Sequence, residues 1–185
     1  MDLSGQLLVA MPGLNDRYFS RSVVLLCQHS ALGSTGLVIN KPFKEAMLKE
    51  LIKAMDIEEK ISHDEDCPVY FGGPVESNCV FLLHNSTHGS REDTKFINES
   101  LKLSHSVDVL VKIFTSETPS KILLAIGHAV WGPGQLEREL TENSWLTVNS
   151  SERLVFDLQN GQKWDAAVRS LGIEPDRLSG VGGTA

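Results

Sequence analysis

The apolar run Ile122-Leu123-Leu124-Ala125-Ile126 leads directly into Gly127-His128-Ala129-Val130-Trp131-Gly132-Pro133-Gly134, and then into a polar helical pattern from Gln135-Leu136-Glu137. Three glycines and a proline within eight residues, behind five consecutive apolar side chains, constrain the fold more than any other stretch. Such a run predicts a buried strand that passes through a sharp turn into a helix N-terminus. There, free backbone N–H groups face a ligand or a neighbouring segment. The stretch carries chain geometry but names no reaction.

A chain of 185 residues suits one domain and is long enough to bury a substantial core. The formal charge of −7 counts against a large nucleic-acid surface, which needs clustered Lys and Arg. The densest cationic stretch, Lys41 to Lys53, interleaves four lysines with two glutamates and reads as a solvated helix face. No segment joins a basic start to an apolar core, so no signal peptide is expected. Apolar runs of five or six residues fall far short of the roughly 20 that span a bilayer. Cys27, Cys67 and Cys79 lack CxxC spacing and read as reduced cytosolic thiols.

Turn residues divide the rest of the chain. Gly5 to Met11 and Ser22 to His29 read as strands, the second apolar on both faces from Val23 to Cys27. Leu37-Val38-Ile39 reads as a third strand, paired with the second as a hairpin. Pro42 is expected to open a helix carrying Met47, Leu48, Leu51, Ile52 and Met55 on its apolar face. Glu58 to Asp66 reads as a surface loop. Val69-Tyr70-Phe71 and Cys79 to Leu83 are expected to pair as antiparallel strands across Gly72-Gly73-Pro74. His84 to Ser104 reads as an exposed excursion with a short strand near Phe96. Ser106 caps a helix with Val107, Leu110, Val111 and Phe114 on one face. Lys121 to Ala129 is the central strand, followed by a helix from Pro133 to about Glu142. Trp145 to Val148 and Leu154 to Phe156 are brief strands. A last helix presents Trp164, Ala167, Val168 and Leu171 before Gly172, and the end from about Ser179 is loosely ordered. Strands and helices without regular βαβ alternation indicate an α+β fold with largely antiparallel pairing.

The punctuated strands carry a resemblance. Gly5-Gln6-Leu7-Leu8-Val9-Ala10-Met11-Pro12, Phe19 to Val24, Gly36 to Pro42, Pro68 to Val75, the Gly127–Glu137 stretch and Asn143-Ser144-Trp145-Leu146 together resemble the AlgH/YqgE family of bacterial proteins. The likeness covers almost the whole chain. His128, Val130 and Gln28 stand where Tyr, Gly and Glu are common in the family. The resemblance implies one domain over 1–185, a mixed sheet partly closed into a barrel with helices packed around it, in the bacterial cytoplasm. It implies no established biochemical activity. Some members carry a transcriptional-regulator label, which no DNA-binding motif in this chain supports.

Each chemical constellation has a plainer structural reading. Cys27 and His29 would share a strand face, and with His84 and His88 would make a zinc set. Cys27 reads instead as a core side chain, and the two later histidines as the start of a polar loop. Cys79 with His84 or His128 would make a nucleophilic pair, but Cys79 lies in an apolar setting that raises a thiol's pKa, and Gly-x-Ser-x-Gly is absent. Gly72-Gly73-Pro74 and Gly132-Pro133-Gly134 lack P-loop and dinucleotide-binding spacing and read as tight turns. Arg21 is expected to pair with Glu137 or Asp16. Trp131 and Trp145 are large core or pocket-wall groups whose indole N–H groups need partners. The candidate binding surface is Arg21, Asn40, Gly72, Gly73, Pro74, His128, Trp131, Gly134, Gln135 and Glu137.

These readings give a non-enzymatic binding or regulatory protein, with no cofactor, metal or catalytic set. Its partner is an unidentified protein or small molecule rather than a membrane or nucleic acid. The alternative is an enzyme or metabolite-binding protein with a cleft near His128. Direct DNA binding, through Lys44, Lys49 and Lys53, ranks third.

Overall fold

A computed structural model describes residues 2–57, 67–90 and 92–178. The loop expected at 58–66 and the loose end expected from 179 lie outside the described residues. In chain order the strands are β1 (Gln6–Ala10), β2 (Val23–Ser30), β3 (Gly33–Val38), β4 (Pro42–Met47), β5 (Pro68–Phe71), β6 (Val75–His84), β7 (Thr94–Phe96), β8 (Lys102–Ser104), β9 (Ile122–Trp131) and β10 (Trp145–Asn149). The helices are α1 (Leu48–Ala54), α2 (Val107–Phe114), α3 (Gln135–Thr141) and α4 (Asn160–Arg169), with a π-helical turn at Arg153–Asp157.

The main path of the sheet runs β10-β1-β2-β3-β9-β6-β8-β7, and β4 and β5 join it as a branch. Every pairing is antiparallel except β5 with β9. The sheet curls into a half-barrel. The curl brings Lys95 of β7, at one end of the path, to Gln28 of β2, where Lys95 Nζ donates to Gln28 Oε1 at 2.7 Å. This is the single-domain α+β fold with a largely antiparallel, partly closed sheet that the sequence predicts.

Strand alternation sorts the apolar residues into layers. Leu7, Val9, Leu25, Leu37 and Ala125 face α4, whose Trp164, Ala167 and Val168 cover them. Leu8, Ala10, Val24, Leu26 and Val38 face the other way, onto Trp131, Leu136 and Trp145. A third layer seats α1 and α2 on Leu82 and Leu124 through Leu48, Ile52, Val109 and Ile113. The strands are buried on both faces because helices cover both, which explains the unbroken apolar runs.

Five local expectations are corrected. Residues 42–47 form a strand rather than the start of a helix. β4 pairs with β5 alone, and the tertiary ladder outweighs a helical pattern that only Leu48 onward fulfils. Pro42 fits because it begins an edge strand. β5 and β6 do not pair as a hairpin. Instead, the chain leaves β5, which runs parallel to β9 on one side, crosses β9, and returns antiparallel on its other side as β6. Leu154 to Phe156 lie in the π-helical turn, not a strand, and Val155 is buried there. His84 ends β6 fully buried between Lys102 and Ile122, not at the head of a polar loop. Leu171, placed on the buried face of α4, is exposed beyond its end.

The crossing of β9 explains the glycines. Up to Ile126, β9 pairs with β5 on one flank; from Ala129 onward that flank belongs to β3. Gly72 bridges the change, donating its N–H to Ile126 O and accepting from Val38 N, both at 2.9 Å. A Cβ on Gly72 would lie 2.1 Å from Gly127 O, and one on Gly73 would lie 2.1 Å from the His128 carbonyl carbon. Two backbones touch here, and a side chain on either would separate them.

His84 provides a pH test. Neither ring nitrogen has a hydrogen-bond partner, and burial, reinforced by Lys102 and His88, pushes its pKa down to about 4. The native ring is therefore neutral where the unfolded chain takes up a proton. The stabilisation is complete above pH 6.5 and is lost progressively as pH falls from 6.5 towards 4, reaching roughly 3 kcal/mol. Denaturant unfolding of wild type and His84→Leu across this window should show the loss in wild type and a flatter profile in the variant. Equal pH dependence in the two proteins would refute it, whatever pH-independent offset repacking adds.

Candidate functional site

One end of the half-barrel's concave face remains open as a groove of about 200 Å³. Its floor is apolar: Cys27 from β2, Leu37 from β3, Phe81 from β6 and Leu103 from β8. Polar side chains converge on it: Gln28, Thr35, Lys95, Glu76 and His128. The register of β2 against β3 slips between Leu26 and Gln28, leaving Cys27 as the extra residue of a bulge. The bulge lets Cys27 and Gln28 both face the groove and turns His29 to the opposite face.

His128 lies opposite Val75 on β6, its ring edge-on to Phe81 with centroids 5.2 Å apart. Its Nδ1 is 3.5 Å from Glu76 Oε2 and forms no hydrogen bond. Glu76 reaches it from the irregular part of β6, where its φ is +50°. The Cys27 thiol is buried, at 3% exposure. Burial pushes its thiol up to about 12, against a smaller opposing pull from Lys95.

The other candidate residues separate. Arg21 stacks its guanidinium 4.2 Å from the Trp164 ring centroid and pairs with Asp165 at 3.0 Å, not with Glu137 or Asp16. Asn40 ties two segments: its Oδ1 accepts from Val23 N at 2.8 Å, and its Nδ2 donates to Arg21 O at 2.9 Å. Gly72 and Gly73 are buried in the strand crossing, and Pro74 beside them is exposed. Trp131 is buried. Gly134 stands before α3 with φ +69° and open space around it. Gln135 accepts from Gly132 N at 3.0 Å, and exposed Glu137 faces His29 Nε2 at 3.7 Å. Of the ten, only His128 lines the groove. The zinc set likewise comes apart: His29 bonds Ser34 Oγ at 2.8 Å, and His84 and His88 lie on other elements. Among the described residues no group of three or more His, Cys, Asp or Glu side chains is placed to hold a metal.

Several residues were not singled out by sequence. Glu76 and Lys95 reach the groove only through a bulge and the sheet's curl. Glu139 Oε2 accepts from both Trp131 Nε1 and Trp145 Nε1, at 2.9 and 2.8 Å, while Oε1 accepts from Gln135 Nε2 at 2.8 Å. Its position at i+4 from Gln135 was the available signal. Lys163 is fully buried, donating to Ile39 O at 2.9 Å and Val155 O at 2.7 Å, and burial lowers its pKa to about 8. It joins the end of β3 to the π-helical turn.

Residues 7–176 match the model of the AlgH-like family. The chain belongs to that family. It is 43% identical to a UPF0301 protein of Jannaschia sp. (strain CCS1) over 185 residues, covering 100% of this chain and 96% of the relative. A UPF0301 protein of Methylococcus capsulatus is 39% identical, covering 98% and 95%. The solution structure of the AlgH protein from Pseudomonas aeruginosa matches with a TM-score of 0.78 at 33% identity, covering 100% of this chain and 97% of that one. A crystal structure of a protein from Corynebacterium diphtheriae shares the fold at a TM-score of 0.71 and 20% identity, over 90% and 86% of the two chains. The family is uncharacterised, and none of these names states a reaction or a partner. Among the described residues no helix is long and apolar enough to cross a membrane.

Proposed function

We propose that the protein is a non-enzymatic binding protein of the bacterial cytoplasm that takes a small ligand into the groove beside His128, with regulatory consequences. The observation that carries this reading is an apolar floor at a barrel mouth with a few polar groups converging on it, the usual form of a small-molecule site. The protonated, buried Cys27 thiol favours binding over nucleophilic chemistry.

A metabolite screen by thermal shift tests it. A ligand at about 100 times its Kd stabilises the native state by about 2.7 kcal/mol, a rise of several degrees for a chain of this size. The expected result is a shift in wild type and in Glu137→Ala, weakened at least tenfold in affinity by His128→Ala. No shift from any metabolite at high excess would overturn the reading. Consumption of the bound compound would favour an enzyme using Glu76 and His128 as an acid–base pair.

A further inference from the structure

We infer that the ligand is a small zwitterion of the apolar α-amino acid type, an inference that rests on the groove being a binding site. The groove is lined by two opposite charges, Lys95 beside Gln28 and Glu76 beside His128, over an uncharged floor. Lys95 spends one donor on Gln28 Oε1 at 2.7 Å and keeps two. Glu76 faces His128 Nδ1 at 3.5 Å, beyond hydrogen-bond geometry, so its carboxylate retains acceptor capacity towards the groove. Among the described residues no ion pair joins Lys95 to Glu76.

Charge balance then selects the occupant. A simple anion would satisfy Lys95 but bring like charge to Glu76; a simple cation would do the reverse. An uncharged apolar molecule would strip water from both without replacing its hydrogen bonds. A zwitterion gives its carboxylate to Lys95 and its ammonium to Glu76, and lays an apolar side chain on Cys27, Leu37, Phe81 and Leu103. The volume of about 200 Å³ lies below the ~300–1,000 Å³ of drug-sized ligand pockets and suits such a metabolite.

Calorimetric titration of the full chain with L-leucine, L-methionine and L-phenylalanine tests this, alongside N-acetyl-leucine, leucinamide and 4-methylpentanoate. At least one free amino acid should bind, and blocking either its ammonium or its carboxylate should weaken it at least tenfold. Glu76→Gln should weaken the free amino acid tenfold or more while leaving the N-acetyl form unchanged. Lys95→Met should do the same with respect to the amide. Both side chains are exposed enough for the variants to fold, which their melting curves would verify. Equal affinity for leucine and 4-methylpentanoate would overturn the zwitterion and leave the groove standing. So would silence from all six compounds while another metabolite gives a His128-dependent shift. Silence in both experiments would overturn both readings.

Discussion

Gly127→Ala is expected to lower the melting temperature by roughly 10 °C. Gly127 has φ +73°, in the left-handed region, which costs an L-residue roughly 1–2 kcal/mol. Its new methyl would also lie 2.3 Å from Gly73 O and 3.0 Å from Val75 O. Those are backbone atoms beside a crossing that Gly72 holds with two hydrogen bonds, so they cannot yield as a side-chain tip would. Overpacking of that kind adds roughly 1–3 kcal/mol. The total, about 2–5 kcal/mol, is a large share of a typical domain's stability and converts to roughly 10 °C for a chain this long. Gly134→Ala is the control: its φ is +69°, but nothing lies within 4 Å of the added carbon. It should lose only the conformational part, roughly 1 kcal/mol and a few degrees. Equal losses in the two variants would show that the strand crossing accommodates a side chain.

Glu139→Ala should cost roughly 2–6 kcal/mol. One carboxylate oxygen accepts from two indoles whose residues are 4% and 3% exposed, so removing it leaves two buried donors unpaired at about 1–3 kcal/mol each. Phe19 packs against both rings, with centroids 6.2 and 5.8 Å away, and its packing depends on the same anchor. Glu139→Gln keeps a carbonyl acceptor but turns an NH2 towards other donors, so a loss of about half is expected. Tryptophan fluorescence separates this from general loosening. Trp131 and Trp145 should shift to longer wavelength, while Trp164, whose indole donates to Ala10 O at 2.8 Å, should not. Wild-type stability with unshifted emission in Glu139→Ala would remove this role.

The fold was largely readable because period and punctuation agree. Apolar runs bounded by glycine and proline mark β1 and β9, the apolar runs from Val23 and from Trp145 mark β2 and β10, and the β2–β3 hairpin follows from the polar turn between them. The errors fall where a ladder partner far along the chain decides. Residues 42–47 have a helical pattern, yet β5 recruits them as an edge strand. The hairpin across Gly72-Gly73-Pro74 gave way to a crossing because β9 can be flanked on both sides. The candidate site was less readable. His128 lines the groove, but Glu76 and Lys95 arrive from an irregular strand and a three-residue edge strand. Arg21 found Asp165, 144 residues away, rather than a nearer carboxylate.

Most of the local order was therefore determined by the sequence alone: the majority of strands and helices, which faces are apolar, and where backbones must approach without side chains. Those properties depend on residues within one or two turns of each other, and their energetics do not need a distant partner. The groove, the two-sided use of β9, the partners of Glu139 and Lys163 and the burial of His84 were decided only by tertiary structure. Each depends on how far the sheet curls before its ends meet, and that curl is a sum over the twist of every strand rather than a property of any one of them.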